Sequence, residues 1–218
     1  MTEREGNMAH ELKLPRWLQW SQRIQAIAQS GMQYTTNPFD LERFRELSHI
    51  AADMMAEKTG AAFDDVKVIF DEQSGYATPK LDIRGVVLKG EKILLVRELM
   101  DSGLWTLPGG WVDINEPPSK AVERELREEA GVITRAKRIL AIYDRNLHGH
   151  PPYPFHAYKL FFECELIAEA TPDPIETAEP TYFSIDELPA LSLPRVTPQE
   201  IKRMFELIKD PLHPTEFD

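Results

Sequence analysis

The chemistry-bearing stretch of the chain is residues 110–132, GWVDINEPPSKAVERELREEAGV. Gly110 is followed by Glu116, then by Arg124-Glu125-Leu126, Glu128-Glu129 and Gly131-Val132. On a helix turning by about 100° per residue, Glu125, Glu128 and Glu129 stand at roughly 0°, 300° and 40°, so three carboxylates share one arc. Val122, Leu126 and Ala130 recur every fourth residue and form an adjoining apolar stripe able to dock on a sheet. Like charges one turn apart destabilise a bare helix, so the cluster points to an external cation. Carboxylate oxygens of this kind suit Mg2+ or Mn2+, which keep waters and bridge to phosphate oxygens. The alternative is a solvated acidic helix.

The elements that must position this stretch follow from periodicity. Residues 12–60 read as two helices. The first carries Trp17, Leu18, Ile24 and Ile27 and is predicted to stop at Gly31. The second starts with Asp40 as N-cap, runs through Leu41, Phe44, Leu47, Ala51, Met54 and Met55, and ends before Gly60. Such an αα-hairpin must cover its apolar faces with the rest of the chain or with a second copy. Residues 66–70, 80–88 and 92–97 read as strands, the last two joined by a turn at Lys89-Gly90-Glu91. A short strand at 105–107 leads into Pro108-Gly109-Gly110, a helix covers 118–130, and strands follow at 136–143 and 155–166. The region from Thr171 holds eight of the 17 prolines and reads as loops laid over a sheet, with one helix near 199–209. The expected division is a helical module over 1–64 and a second domain over 65–218.

Composition narrows the function classes. The 218 residues carry a formal net charge of −11, which argues against nonspecific binding to DNA, where cations must meet phosphates. The single cysteine, Cys164, excludes an internal disulfide and favours a reducing, cytoplasmic setting. No apolar run approaches the roughly 20 residues that span a bilayer, and the polar start of the chain is unlike a signal peptide.

Every defined position of residues 110–132 fits the pattern GX5EX7REUXEEXGU, with U aliphatic. The stretch resembles the Nudix box, and the chain is identified as a member of the Nudix hydrolase family. The resemblance implies an α/β fold, an α/β/α sandwich around a mixed sheet, here preceded by the helical module. It implies that Glu125, Glu128 and Glu129, helped by the Gly110 carbonyl, bind Mg2+ or Mn2+, and that Glu116 and Arg124 are structural. The family reaction is attack of water on a nucleoside diphosphate linked to another moiety. Its proton acceptor often lies outside the box: Glu176, in the proline-rich loop 176–179, is the first candidate, and Glu128 is the alternative. Arg84 and Arg97 are candidates for substrate phosphate, with ordinary salt bridges as the competing reading. His148 and His150 could line the site or be solvated loop histidines. Trp105, Tyr153, Phe155 and Tyr158 could stack a base or sit in the core.

Residues 20–29, Tyr34-Thr35, Asn37-Pro38, the Asp40 helix, the run from 75–80 to Asp82 and Arg84, and the run from Asp144-Arg145 to His148-Gly149-His150-Pro151-Pro152 are similar to a bacterial Nudix subgroup with an N-terminal helical domain. That subgroup includes CDP-choline pyrophosphatases, and some similar proteins act on RNA 5′ ends. Its members assemble as dimers partly through the helical module. The resemblance therefore favours a small CDP-choline-like substrate and a homodimer. An RNA 5′ pyrophosphohydrolase and an ADP-ribose or sugar-nucleotide pyrophosphatase are the alternatives. A non-catalytic nucleotide sensor ranks last, because the box is intact.

Overall fold

The computed structural model describes residues 15–171 and 177–218. It divides into two units, Met1–Ala77 and Thr78–Asp218. In the first, α1 (Arg16–Tyr34) and α2 (Pro38–Thr59) pack through Leu18, Ala51, Ala52 and Met55, and the Ser21 hydroxyl donates to the Ala51 carbonyl at 2.8 Å. Gly31 does not end α1. A Cβ at this position would lie 2.4 Å from the Phe44 ring, so the glycine marks a close approach of the two helices. The cap of α2 is Asn37, whose side chain accepts from Phe39 N at 2.9 Å, while Asp40 pairs with Arg43 inside the helix. Residues 66–70 are not a strand but part of α3 (Phe63–Asp71), which buries Val66 and Phe70 one turn apart and spans the expected 64/65 junction. So short an apolar run fits either periodicity, and packing on the other helices decides it.

The second unit holds β1 (Lys80–Val86), β2 (Leu88–Lys89), β3 (Lys92–Glu98), β4 (Leu104–Thr106), α4 (Pro118–Ala130), β5 (Val132–Asp144), β6 (Ala157–Glu169), β7 (Thr177–Ser184), α5 (Pro198–Lys209) and β8 (Glu216–Phe217). One sheet runs β1-β6-β5-β8 with parallel and antiparallel pairs, so it is mixed; in the other, β3 pairs antiparallel with β2, β4 and β7. Alternate residues of the strands face two cores. Ile83, Leu94, Val96, Phe162 and Cys164 meet Val122, Leu126 and Ala130 of α4, whereas Ile93, Leu95 and Phe161 meet Ile201, Met204 and Leu207 of α5. The result is helix, sheet, helix.

β7 corrects the reading of the proline-rich tail as loops. Its register against β3 shifts between Leu95 and Arg97, which face Thr181 and Ala178, and Pro180 falls inside that shift. A proline with no N–H can enter a sheet at such a bulge. Helix α4 docks so closely on β1 that a Cβ on Gly85 would come 2.7 Å from Leu126 Cδ1.

Candidate active site

Strand β1 brings Asp82 and Arg84 to one face and Ile83 to the other. Its free edge is occupied by the start of the box: Ile83 N donates to Gly110 O (2.9 Å), Gly85 N to Pro108 O (2.8 Å) and Val112 N to Leu81 O (3.2 Å). Gly109, at φ +138°, makes this possible, since a Cβ there would stand 2.1 Å from the Ile83 carbonyl. The same turn aims Gly109 N–H at Glu129 Oε2, 2.8 Å away. A cleft of about 420 Å³ opens here, lined by Arg84, Glu98, Gly110, Glu125, Glu129 and Arg145, among others.

The acidic wall comes from α4. Burial pushes the Glu129 carboxyl up to about 8, against the Gly109 hydrogen bond and Arg84, and with help from the neighbouring Glu125 and Glu98. Burial also raises Glu125, opposed chiefly by Arg124. Arg124 grips Glu116 with two hydrogen bonds, 3.0 and 2.9 Å, and reaches Glu125 at 2.9 Å and Glu128 at 3.0 Å. Those bonds hold Glu116 below the usual carboxylate range. Arg127 takes the other oxygen of Glu128 at 2.8 Å.

The basic wall comes from elsewhere. Arg84 is buried and bound to Asp82 at 3.2 and 2.8 Å and to the Leu107 carbonyl at 3.1 Å. Burial opposes its charge, and Asp82 more than restores it. Lys159 stands opposite Asp82 across the parallel pair β1/β6, fully buried, with Nζ 3.3 Å from Asp82. Arg195 meets Glu98 at 3.0 Å and Asp101 at 3.5 Å.

Beneath the cleft, Glu200 of α5 accepts from Thr197 N (2.8 Å) in a capping box and contacts His150 Nε2 (2.9 Å). Burial works against its charge, but Lys159, His150 and Thr197 outweigh it and hold the carboxyl at about 2. Burial lowers His150 and Lys159.

Gly110, Glu125, Glu129 and Arg84, singled out from the sequence, thus share one cleft. Glu116 and Arg124 form the knot beside it, with Glu128 tied to that knot. Arg97 is not among the lining residues and donates from Nε to Gly103 O at 3.1 Å. Glu176 lies outside the described residues. His148 stacks on Tyr143 and pairs with Asp218, and Trp105 packs edge-on against Phe183, so neither faces the cleft. Tyr153 does line it; Phe155 packs on Tyr153, and Tyr158 lies near His156. Sequence reasoning missed Asp82, Glu98, Trp111, Arg145 and Arg195. An Asp-x-Arg pair inside an apolar strand signals the first; nothing local marks Glu98, Trp111 or Arg195.

The donor chemistry fits a divalent cation. Two partly buried carboxyls, raised by burial and by neighbouring carboxylates, Glu128 for Glu125 and Glu125 for Glu129, face a cleft beside a backbone carbonyl. Among the described residues, no three His, Cys, Asp or Glu side chains are gathered tightly enough to enclose an ion as they stand. Glu128 joins one only by releasing an arginine.

Residues 79–207 match the NUDIX domain family, and residues 15–70 match the UDP-X-like N-terminal oligomerisation domain. The Bacillus subtilis protein YjhB is 39% identical over 203 residues, 93% of this chain and 97% of its own length. A crystal structure described as an ADP-ribose pyrophosphatase from Streptococcus suis is 37% identical, with TM-score 0.59, covering 65% of this chain and 100% of that one. One described as UDP-X diphosphatase is 29% identical, with TM-score 0.60, covering 93% and 98%. No helix among the described residues is long and apolar enough to cross a membrane.

Proposed function

Because the chain belongs to the Nudix hydrolase family, whose members depend on divalent metals, we propose that it hydrolyses the diphosphate bond of a nucleoside diphosphate joined to a second moiety. ADP-ribose and UDP-linked compounds are the first substrates to try. The single observation that carries this reading is a cleft lined both by the glutamates Glu125 and Glu129 and by the arginines Arg84, Arg145 and Arg195. A diphosphate needs cations around it, and here arginines supply some while the glutamates offer the donors for Mg2+ or Mn2+.

Glu125 and Glu129, with the remaining lone pair of the Gly110 carbonyl, would hold the metal, and Glu128 would join them. When bound, the metal neutralises the diphosphate, lowers the pKa of a bound water and stabilises the departing phosphate. Arg84 presents a guanidinium fixed by Asp82 and Leu107 O to the phosphate oxygens. Arg124 and Glu116 hold the helix end so that the glutamates keep their directions. Glu176 takes the proton of the attacking water. Its chain neighbour Thr177 pairs with Glu98, a cleft residue, which supports this choice over Glu128, whose oxygens are both held by arginines. Trp111 and Tyr153 supply aromatic surface for the nucleoside.

CDP-choline, favoured by the sequence resemblance, is not singled out by the relatives; two of the similar structures carry ADP-ribose and UDP-X names. We also infer a homodimer formed through residues 15–70, supported by the match to an oligomerisation domain. The test is product release from ADP-ribose, UDP-sugars, CDP-choline and triphosphorylated RNA with Mg2+ or Mn2+. Turnover of a nucleoside diphosphate conjugate that disappears on chelation is expected. Preference for RNA, or no turnover of any conjugate, overturns the substrate reading.

A further inference from the structure

Arg145 carries a charge that its described surroundings do not cancel. It follows β5, is 4% exposed, and still lines the cleft. Nε and Nη2 donate to the Pro194 carbonyl at 3.3 and 3.1 Å, and Nη1 donates to the Pro151 carbonyl at 3.0 Å. The Tyr153 ring lies 4.8 Å from the guanidinium carbon. Among the described residues, no carboxylate comes within 4.0 Å of it, whereas Arg84, Arg124 and Arg195 each hold at least one.

Carbonyls and an aromatic face orient a guanidinium without neutralising it, and burying an uncompensated cation is costly. The fold nonetheless fixes this one from two sides. His150 bonds the Leu193 carbonyl at 2.7 Å and Glu200 at 2.9 Å, which staples the loop after β5 to the segment that supplies Pro194. The run from Asp144-Arg145 to Pro151-Pro152 is therefore a cradle for one cation. A guanidinium has five N–H donors. Three are used, and two remain for a ligand.

We propose that Arg145 is a substrate-binding residue whose two remaining N–H groups take an oxyanion of the diphosphate in the cleft that Glu125 and Glu129 also line. This rests on the reading of the site as one for nucleoside diphosphates. A bound phosphate oxyanion supplies the missing countercharge, and the preset orientation spares the ordering cost of a mobile side chain. Arg84 and Arg195 are committed to carboxylates, so Arg145 contributes the larger share of attraction for phosphate.

The test uses the full chain with Mg2+ and ADP as probe. In the wild-type protein labelled with 15N-arginine, the Arg145 Nε–H resonance, assigned by its absence from Arg145→Lys, should shift on addition of ADP. Calorimetry should show ADP affinity falling at least tenfold in Arg145→Gln and less in Arg145→Lys. In turnover of the conjugate substrate, the loss should appear in KM more than in kcat. An Arg145 resonance unmoved by saturating ADP overturns the proposal, as does Arg145→Gln binding ADP as tightly as the wild type. The resonance test needs no variant that folds poorly. If ADP binds and shifts Arg145 while no conjugate is hydrolysed, the subsite stands and the substrate reading fails. If conjugates are hydrolysed while the resonance stays fixed, the subsite alone fails.

Discussion

Glu129 and Glu200 are both helical glutamates withdrawn from solvent, yet they titrate in opposite directions. Burial raises both. Glu129 accepts from Gly109 N–H, lies near Arg84, faces Glu125 and Glu98, and ends at about 8. Glu200 receives Lys159, His150 and both polar groups of Thr197, and ends at about 2. Around Glu200, every charge finds its partner inside the fold. Around Glu129, carboxyls gather beside Arg84 and face a cleft. Burial alone therefore does not identify a functional carboxylate; a gathering of other carboxyls around it in a cleft does.

The largest expected effect separates the two residues by kind. Glu129→Gln and Glu125→Gln should lower kcat by about a thousandfold or more, roughly 4 kcal/mol of barrier. Their Tm should stay near that of the wild type, since a carboxyl that burial disfavours is replaced by a neutral amide of the same shape. Glu200→Gln should do the reverse, costing on the order of 3 kcal/mol of stability by removing the buried carboxylate that partners His150 and, with Asp82, offsets the charge of Lys159. Paired melts and turnover assays check both, and the contrast collapses if Glu129→Gln melts as early as Glu200→Gln.

Acid should act on the closed network in the same direction. The folded carboxyl of Glu200, at about 2, lies below its ordinary 4.5, so its contribution is complete above 4.5 and is lost as pH falls towards 2. His150, lowered by burial, adds a loss that begins as pH drops below 6.5, because only the unfolded chain then takes up the proton. Denaturant midpoints should therefore fall through this window, and the part below pH 4.5 should shrink in Glu200→Gln, leaving the share of the other lowered carboxyls such as Glu116 and Glu163.

A packing change should be smaller. Gly85→Ala forces a methyl against Leu126 and should cost about 1–3 kcal/mol; kcat should fall with it if α4 is displaced from β1. Arg97→Gln should change KM and stability least, within about 0.5 kcal/mol, because Arg97 bonds a turn carbonyl rather than lining the cleft. A tenfold rise in KM would return Arg97 to the phosphate site.

The acidic wall was legible in the sequence because one helix carries it. The spacing of Glu125 and Glu129 fixes their shared arc, and Gly131 ends the helix where the pattern stops. The basic wall was mostly hidden. Arg84 comes from β1, Arg145 from the end of β5 and Arg195 from a segment between two prolines, and only tertiary pairing brings them together. The same reason explains α3 and β7. Residues 66–70 suit a strand or a helix, and Pro180 argues against a strand until the bulge in β3/β7 is seen. Gly31 was misread because a glycine needed for lack of a side chain looks, in sequence, like one needed for its backbone freedom.

Cys164 sits under α4, in the core that seats the helix carrying Glu125 and Glu129. Burial pushes its thiol up to about 12, so the native state withholds both the sulfur and its reactive thiolate from an aqueous reagent. As the only cysteine in the chain, it is a built-in stopwatch for opening of this unit. Its modification rate by a disulfide reagent reports how often the core is breached. An ion or nucleotide that binds only the closed form should slow that clock by the factor 1 + [L]/Kd, so one thiol measures ligand affinity with no turnover at all.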